Sequence, residues 1–575
     1  MTTMIKNALI ADGSGEKPFK GHVVISGDRI AAVQRCAEGE STENRIFPTE
    51  GTAGNGKIDN DSRREHVTAD ATEDKTGDVS ADEMTADQVI DGTGLVLTPG
   101  FIDTHAHADL FALSDRVLLP NIGQGITTCV LGQDGVSMAP LPEGLIGRWR
   151  ENLQNIDGDS DDIDWHFHDT AGYLKELEDT HCTCNTAYLV PHGNIRMEVL
   201  GLDAVSPTKE QIDEMCRVLR RELEAGALGL STGLIYVPCV FADREELTAM
   251  CRVVAEYNGV FAIHQRSEGS DLLDSMKEVL NIGRETGVHI HFSHFKVQGR
   301  KNQAFIDEVL RLLDEARAEG LEVTFDQYPY TAGSTTLGVV LPPWAFDGGP
   351  EALMARLKDP AERAKMKADT LTGLPEWDNF YDSVGFDKIV VTDLVTEKNR
   401  PLIGKSLTEI AALQGKEVFD AVYDLITEEE NHVTMVDYYG TEAVMLALMK
   451  RPEMNMCTDG LLWSRRPHPR AWGTCARILE RYVSDKAFSL EEVVYRLSYA
   501  GALSHSIPKR GLIKEGYFAD LNLLDLSKIH ETGTYEDPAH VPAGIRATWI
   551  NGQLVMESGT FTEDYPGHVI RRHNA

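Results

Sequence analysis

The sequence has no apolar stretch long enough to cross a bilayer as a helix, which argues against an integral helical membrane protein. It is also short of basic residues. Lys and Arg number 55 against 91 Asp and Glu, a formal net charge of −36. That excess repels phosphate backbones and anionic lipid, so neither nucleic acid nor a membrane is expected as a partner. An anionic small molecule stays open, because a few cations can line a pocket in an acidic protein. Cysteine is sparse and odd in number, nine in 575 residues, and only Cys182 and Cys184 lie close together. A disulfide framework is thereby disfavoured, and reduced thiols in a cytoplasmic protein are expected. Residues 1–7 lack a charged head followed by an apolar core, so no secretory signal is expected. What is present is ordinary for a globular protein: 42% hydrophobic residues, in a length that suits one barrel with an appendage. Composition leaves the oligomeric state open.

Along the chain, residues 4–33 alternate short apolar runs with Gly and Asp, a hairpin pattern with its turn at Gly27-Asp28. Residues 37–88 are rich in Glu, Asp, Thr, Ser and Gly and have no sustained period. They cannot bury enough apolar surface to offset their ordering entropy, so a flexible acidic insertion is expected there. From residue 96 one pattern repeats: an apolar run ending in polar residues, then an amphipathic helical stretch. The runs are 96–103, 127–132, 185–190, 227–231, 260–264, 288–294, 322–327 and 454–459. Eight strands alternating with helices predict a parallel (β/α)8 TIM barrel over 98–505. The gap at 336–451 predicts an insertion over one face of it. Residues 506–575 carry strand and hairpin patterns, including Asn551-Gly552. With residues 1–97 they are expected to form a small β-sandwich from both chain ends.

The chemistry-bearing residues collect at the ends of these runs. Asp103, His105 and His107 close the first, in Thr98-Pro-Gly-Phe-Ile-Asp-Thr-His-Ala-His-Ala-Asp109. Residues two apart on a strand project the same way, so two imidazoles leave one strand end together. Asp134 follows the second run, His264 ends the fifth, His294 the sixth and Asp459 the eighth. A lone histidine at a strand end is commonly a structural hydrogen bonder. Four histidines and two carboxylates at one end of one barrel suit one or two divalent cations with a position left for water. His289 and His291 alternate on the sixth run and are expected to pack or to support the ligands. His192 and Arg196, after the third run, are weaker candidates.

Pro99-Gly-Phe-Ile-Asp-x-His-x-His107 resembles the first-strand motif of the amidohydrolase superfamily, and within it the N-acyl-D-amino-acid deacylases, or D-aminoacylases. Four more stretches resemble that family: Gly226-Ala-Leu-Gly-Leu-Ser-Thr-Gly-Leu-Ile-Tyr236, Ser293-His-Phe-Lys296, Asp326-Gln-Tyr-Pro-Tyr-Thr-Ala-Gly-Ser334, and Asp459-Gly-Leu with Arg466-Pro-His-Pro-Arg-Ala-Trp-Gly473. The resemblance covers nearly the whole chain outside the acidic insertion. It implies a metal-dependent hydrolase, usually with zinc, one or two ions, other divalent metals being admissible. It implies a tightly held metal on His264 and His294 and a weaker one on His105, His107 and Asp459, with Asp459 as the catalytic acid and base. Tyr236, Lys296, Tyr328, Ser334 and Arg470 match the family's substrate contacts, and an Arg fork with hydroxyls suits a free carboxylate. The implied reaction removes the acyl group from a small N-acyl-D-amino acid. One position departs: familiar members carry Cys in a Gly-Asn-Cys-Gly stretch after strand two, where this chain has Gly132-Gln-Asp-Gly135. Asp134 puts a hard carboxylate in place of a soft thiolate, which bears on metal preference.

Two other readings meet obstacles in the residues. A cyclic amidase of the hydantoinase or dihydroorotase type uses a carboxylated lysine on strand four, and the run Ala227-Leu-Gly-Leu-Ser-Thr has none. A non-catalytic scaffold of the same fold would be expected to have lost ligands that this chain keeps.

Overall fold

The structure is a computed structural model that describes residues 1–36, 86–154 and 156–572. Most of the segment expected to be a flexible acidic insertion, 37–88, lies outside the described residues. Eight parallel strands follow one another round the barrel in chain order: β1 (Phe101–Asp103), β2 (Ile126–Leu131), β3 (Asn185–Pro191), β4 (Gly229–Gly233), β5 (Val260–His264), β6 (His289–Phe292), β7 (Val323–Gln327) and β8 (Met454–Met456). Just beyond the carboxyl ends, Gly460-Leu461 pairs with Ala106-His107 in parallel, which brings the last strand back to the first. All but one residue of these strands are buried, the run-on of apolar residues that a sheet covered on both faces requires.

Helices cover the outside. Lys209–Glu224 is typical: Thr208 caps it in a reciprocal box with Gln211, and Ile212, Met215, Val218, Leu219 and Leu223 turn one stripe inward. Among the described residues no helix is long and apolar enough to cross a membrane.

The first apolar run does not stay in one sheet. Val96–Pro99 pairs with Leu521–Leu524 and Thr2–Ile10 in a nine-stranded sheet built from both chain ends, and only Phe101–Asp103 joins the barrel. Gly100 makes the crossing. A Cβ there would lie 2.2 Å from Thr127 Oγ1, so the step from sheet to barrel needs a residue without a side chain. Ile5, Ile25, Leu97, Leu521, Leu523 and Trp549 form the core of this terminal sheet.

The long gap before β8 folds as its own unit. Gly333–Thr336, Val433–Asp437 and Ile389–Leu394 form a three-stranded antiparallel sheet with Val433–Asp437 in the centre. Helices such as Val418–Glu428 close a separate apolar core around Leu337, Val391, Phe419, Ile426 and Met435. The unit contributes Ser334, Thr335, Phe380 and Asp437 to the cavity at the carboxyl ends of the barrel strands.

Candidate active site

All six residues expected to hold metal meet in one buried cluster. His105 Nε2 and His107 Nε2 lie 3.3 Å apart. Asp134 Oδ2 is 3.6 and 3.5 Å from these two nitrogens, and Asp459 Oδ1 is 3.9 and 3.6 Å from them. His264 Nδ1 and His294 Nε2 face each other at 3.0 Å, and Asp134 Oδ1 is 3.6 Å from His294 Nε2. One oxygen of Asp134 therefore faces His105 and His107, and the other faces His294. His105, His107 and Asp459 form one compact group, and His105, Asp134 and His294 another, each with its ligand atoms within 4.8 Å of one another.

Three residues of this cluster have a strained backbone. Asp134, His294 and Asp459 sit at φ of 54°, 34° and 49°, the left-handed region that ordinary residues seldom occupy. For His294 this resolves a parity problem. Strand β6 ends at Phe292, so the alternation that would turn His294 away from the site stops two residues earlier. Asp103 supplies a clasp. It accepts hydrogen bonds from the Thr458 amide (2.8 Å), the Thr458 hydroxyl (2.5 Å) and the His105 amide (3.3 Å), tying the end of β1 to the loop that carries Asp459. The Asp459 amide in turn donates to the His105 carbonyl at 2.9 Å.

The chemistry of the donor set fits a cation. Acceptors converge with too few protons among them: Asp134 Oδ1, buried, has no hydrogen-bond donor, and the imidazole nitrogens point at one another and at carboxylates. Burial lowers the pKa of His105, and pushes His264 down to about 4. Burial would also lower His107 and His294, but Asp134 and Asp459 raise His107 well above its ordinary value, and carboxylates including Asp459 take His294 up to about 9. Asp134 itself, despite burial, is held well below the carboxylate range by His105, His107 and His294.

Tyr236, Lys296, Tyr328, Ser334 and Arg470 all line one cavity of about 460 Å³ together with His107, His264, His294 and Asp459. Arg470 Nη1 stands 2.9 Å from Asp459 Oδ2, its Nη2 donates to the Ser334 carbonyl at 2.9 Å, and its guanidinium lies 4.5 Å over the Tyr328 ring. The Arg470 Nε has no acceptor. Burial would raise the Asp459 carboxyl, but Arg470 and the histidines hold it far below the usual range, so it is ionised. Lys296 Nζ donates to both oxygens of Glu268 at 2.9 and 2.7 Å and lies 2.8 Å from His294 Nδ1. The Tyr236 hydroxyl is 2.8 Å from Thr335 Oγ1.

His192 and Arg196 do not line the cavity. They form a buried cluster with Glu246, whose Oε1 is 2.7 Å from His192 Nε2 and whose Oε2 pairs with Arg196. Beside it the Gly193 amide donates to the Gly135 carbonyl at 2.7 Å, bracing the loop that bears Asp134. His291 turns into the barrel, its Nε2 2.9 Å from Asp326 Oδ2. Sequence reasoning missed Glu268, Asp437, Tyr439 and Asp157. Glu268 follows His264 by four residues, past the end of β5. Asp157 Oδ1 is 3.8 Å from His107 Nδ1, a carboxylate behind the imidazole of the kind that orients metal-binding histidines. A second, mostly apolar cavity of about 640 Å³ adjoins the first and shares Ile156, Ile235 and Tyr236 with it.

Comparison with known proteins agrees with this arrangement. A model of the amidohydrolase family matches residues 88–556. The chain is similar to the D-aminoacylase of Alcaligenes xylosoxydans xylosoxydans, 32% identical over 86% of this chain and 91% of the relative. It is similar to the N-acyl-D-aspartate deacylase of the same organism, 30% identical over 84% of this chain and 86% of the relative. Its fold is similar to the crystal structure of N-acyl-D-glutamate deacylase from Bordetella bronchiseptica, complexed with zinc and a phosphonate that mimics the tetrahedral intermediate. There the identity is 27% over 99% of both chains, with a TM-score of 0.78.

Proposed function

The chain belongs to the amidohydrolase family, and from that premise we propose that it hydrolyses N-acyl-D-amino acids to a carboxylate and a free D-amino acid. One observation carries the reading: four of the six acceptors that fit a divalent metal, His107, His264, His294 and Asp459, line one cavity with the five groups that suit a free carboxylate. The relatives named above, at 30% identity or more over most of the chain, act on this substrate class by name.

Zinc, as one ion or two, is the proposed cofactor. His264 and His294 would hold one ion, His105, His107 and Asp459 the other, with Asp134 between them. Bound there, zinc supplies a Lewis acid and makes water a nucleophile near neutral pH. The chain's own residues do the rest. Arg470, Tyr328, Ser334, Lys296 and Tyr236 hold the α-carboxylate and fix the amide against the cluster. Asp459, ionised and facing His105 and His107, takes the proton of the attacking water and returns it to the leaving nitrogen. Strand β4 bears no lysine, so the carboxylated-lysine site of a cyclic amidase has no counterpart here.

A cytoplasmic location is proposed as well, since all nine cysteines are free thiols and eight of them are buried. The test of the function is product identification. The zinc-loaded protein is expected to release acetate and free D-amino acid from N-acetyl-D-amino acids and to leave the L-series intact. Cleavage of the L-series alone overturns the assignment.

A further inference from the structure

We propose that Asp437 reads the substrate's side chain, and that the preferred N-acyl-D-amino acid carries a side chain ending in a cation or an N–H donor. The inference rests on the deacylase reading and deepens it.

Asp437 ends the central strand of the three-stranded sheet, opposite Gly333 on one side and Ile389 on the other. It lines the same cavity as Arg470, Lys296, Tyr328 and Ser334, and is only 4% exposed. Among the described residues no side chain donates a hydrogen bond to its carboxylate and none forms an ion pair with it. The two cations whose charge reaches it are engaged elsewhere: Lys296 donates to both oxygens of Glu268, and Arg470 pairs with Asp459 and the Ser334 carbonyl. A buried carboxylate met by backbone but by no side-chain donor is costly to maintain, and its presence inside a substrate cavity points to a donor that arrives with the substrate.

The neighbouring backbone keeps the approach open. A Cβ on Gly333 would lie 2.8 Å from Asp437 Oδ1 and 3.4 Å from the Tyr328 hydroxyl, so any side chain there would press on the carboxylate. The same environment disfavours acidic side chains. Asp437 and Glu268 stand on the cavity wall, and both wall cations already face carboxylates. Lys296 and Arg470 are the lysine and arginine among the described residues that line the cavity, and the deacylase reading gives both to the α-carboxylate, so a D-glutamate or D-aspartate side chain would bring a further negative charge with no cation left for it. A lysine or arginine side chain brings an apolar stem and a charged donor, and a charge-assisted hydrogen bond to a buried carboxylate is among the stronger contacts a site can make.

The experiment uses the full-length, zinc-loaded protein and four substrates: N-acetyl-D-lysine, N-acetyl-D-arginine, N-acetyl-D-norleucine and N-acetyl-D-glutamate. Norleucine keeps the apolar stem of lysine and lacks the charge, so the adjoining apolar cavity would favour it if apolar burial ruled. The expected result is a kcat/KM for the lysine or arginine substrate at least about tenfold above norleucine, with glutamate lowest. In Asp437→Asn and Asp437→Leu that ratio is expected to collapse toward one. The wild-type panel stands alone if either variant fails to fold. Norleucine or glutamate as the best wild-type substrate overturns the inference and leaves the deacylase reading intact. So does a ratio that both variants preserve. A panel in which no D-substrate is cleaved overturns the deacylase reading and this inference with it.

Discussion

Two polar clusters lie one above the other inside the barrel, and they differ in how completely they satisfy themselves. In the lower one, His291 uses both ring nitrogens, Nδ1 2.8 Å from Thr324 Oγ1 and Nε2 2.9 Å from Asp326 Oδ2. Thr104 Oγ1 reaches Asp326 at 2.9 Å and Asn455 at 2.7 Å, and Asn455 Nδ2 donates to Ser504 at 2.8 Å. The other oxygen of Asp326 accepts the His294 amide at 2.5 Å, which hangs the upper cluster from the lower. In the upper cluster acceptors face acceptors and Asp134 Oδ1 has no donor at all. Both sets are histidines and carboxylates of similar burial. A polar cluster that completes its own hydrogen bonds holds the fold, and one that cannot is built to hold something else.

The contrast can be broken from either side. The largest effect is expected at Asp459. Asp459→Asn keeps much of the ligand geometry and loses the proton acceptor, so turnover should fall by about 10²–10⁴-fold while zinc content, read by elemental analysis, stays near wild type. Near wild-type turnover would remove Asp459 from the proton path. Metal removal should act almost as strongly: chelation is expected to cut hydrolysis by a factor approaching that of Asp459→Asn and to lower Tm, and added zinc to restore both, Tm rising with the logarithm of its free concentration. In the lower cluster the balance reverses. His291→Leu leaves Asp326 without its imidazole partner and should cost roughly 3–5 kcal/mol in denaturant unfolding, with zinc still bound by the folded fraction. A cost under about 1 kcal/mol would mean that the lower network does not brace the barrel.

The smallest effect concerns pH. Burial raises the Asp437 carboxyl to about 7, with Glu268 adding to the rise and Lys296 and Arg470 opposing it. A carboxyl raised above its unfolded value of about 3.9 favours the folded state fully only at pH below that value, and the advantage is lost as pH rises through about 7. Asp437→Asn should therefore gain stability relative to wild type between pH 5 and pH 8, by about 2 kcal/mol. A difference that does not change over that window would contradict the unpaired state of this carboxylate.

Much of this was legible in the sequence because strand periodicity and the strand-end rule act locally. The runs ending in His107, His264 and Asp459 each announce their own polar terminus, and eight such runs define the barrel. Other features depend on contacts between distant segments. The split of the first run at Gly100 follows from Leu521–Leu524 capturing Val96–Pro99 more than 400 residues away in sequence, which no local pattern encodes. His294 defied residue parity because β6 stops at Phe292. Glu268 and Asp437 stayed hidden for the same reason: one follows its strand by four residues, and the other comes from the inserted unit, and only the closed cavity brings them together. Asp134 was legible by position, but the division of its oxygens between His105 and His107 on one side and His294 on the other was not.

The most direct measurement is calorimetric titration of chelator-treated protein with zinc, in wild type and in a variant carrying both His264→Ala and His294→Ala. The account predicts saturable uptake of at least one ion by the wild type, and loss of the tighter event in the variant. A wild-type protein that binds no zinc, or a variant that binds it unchanged, would contradict the claim that the upper cluster is arranged to hold a metal.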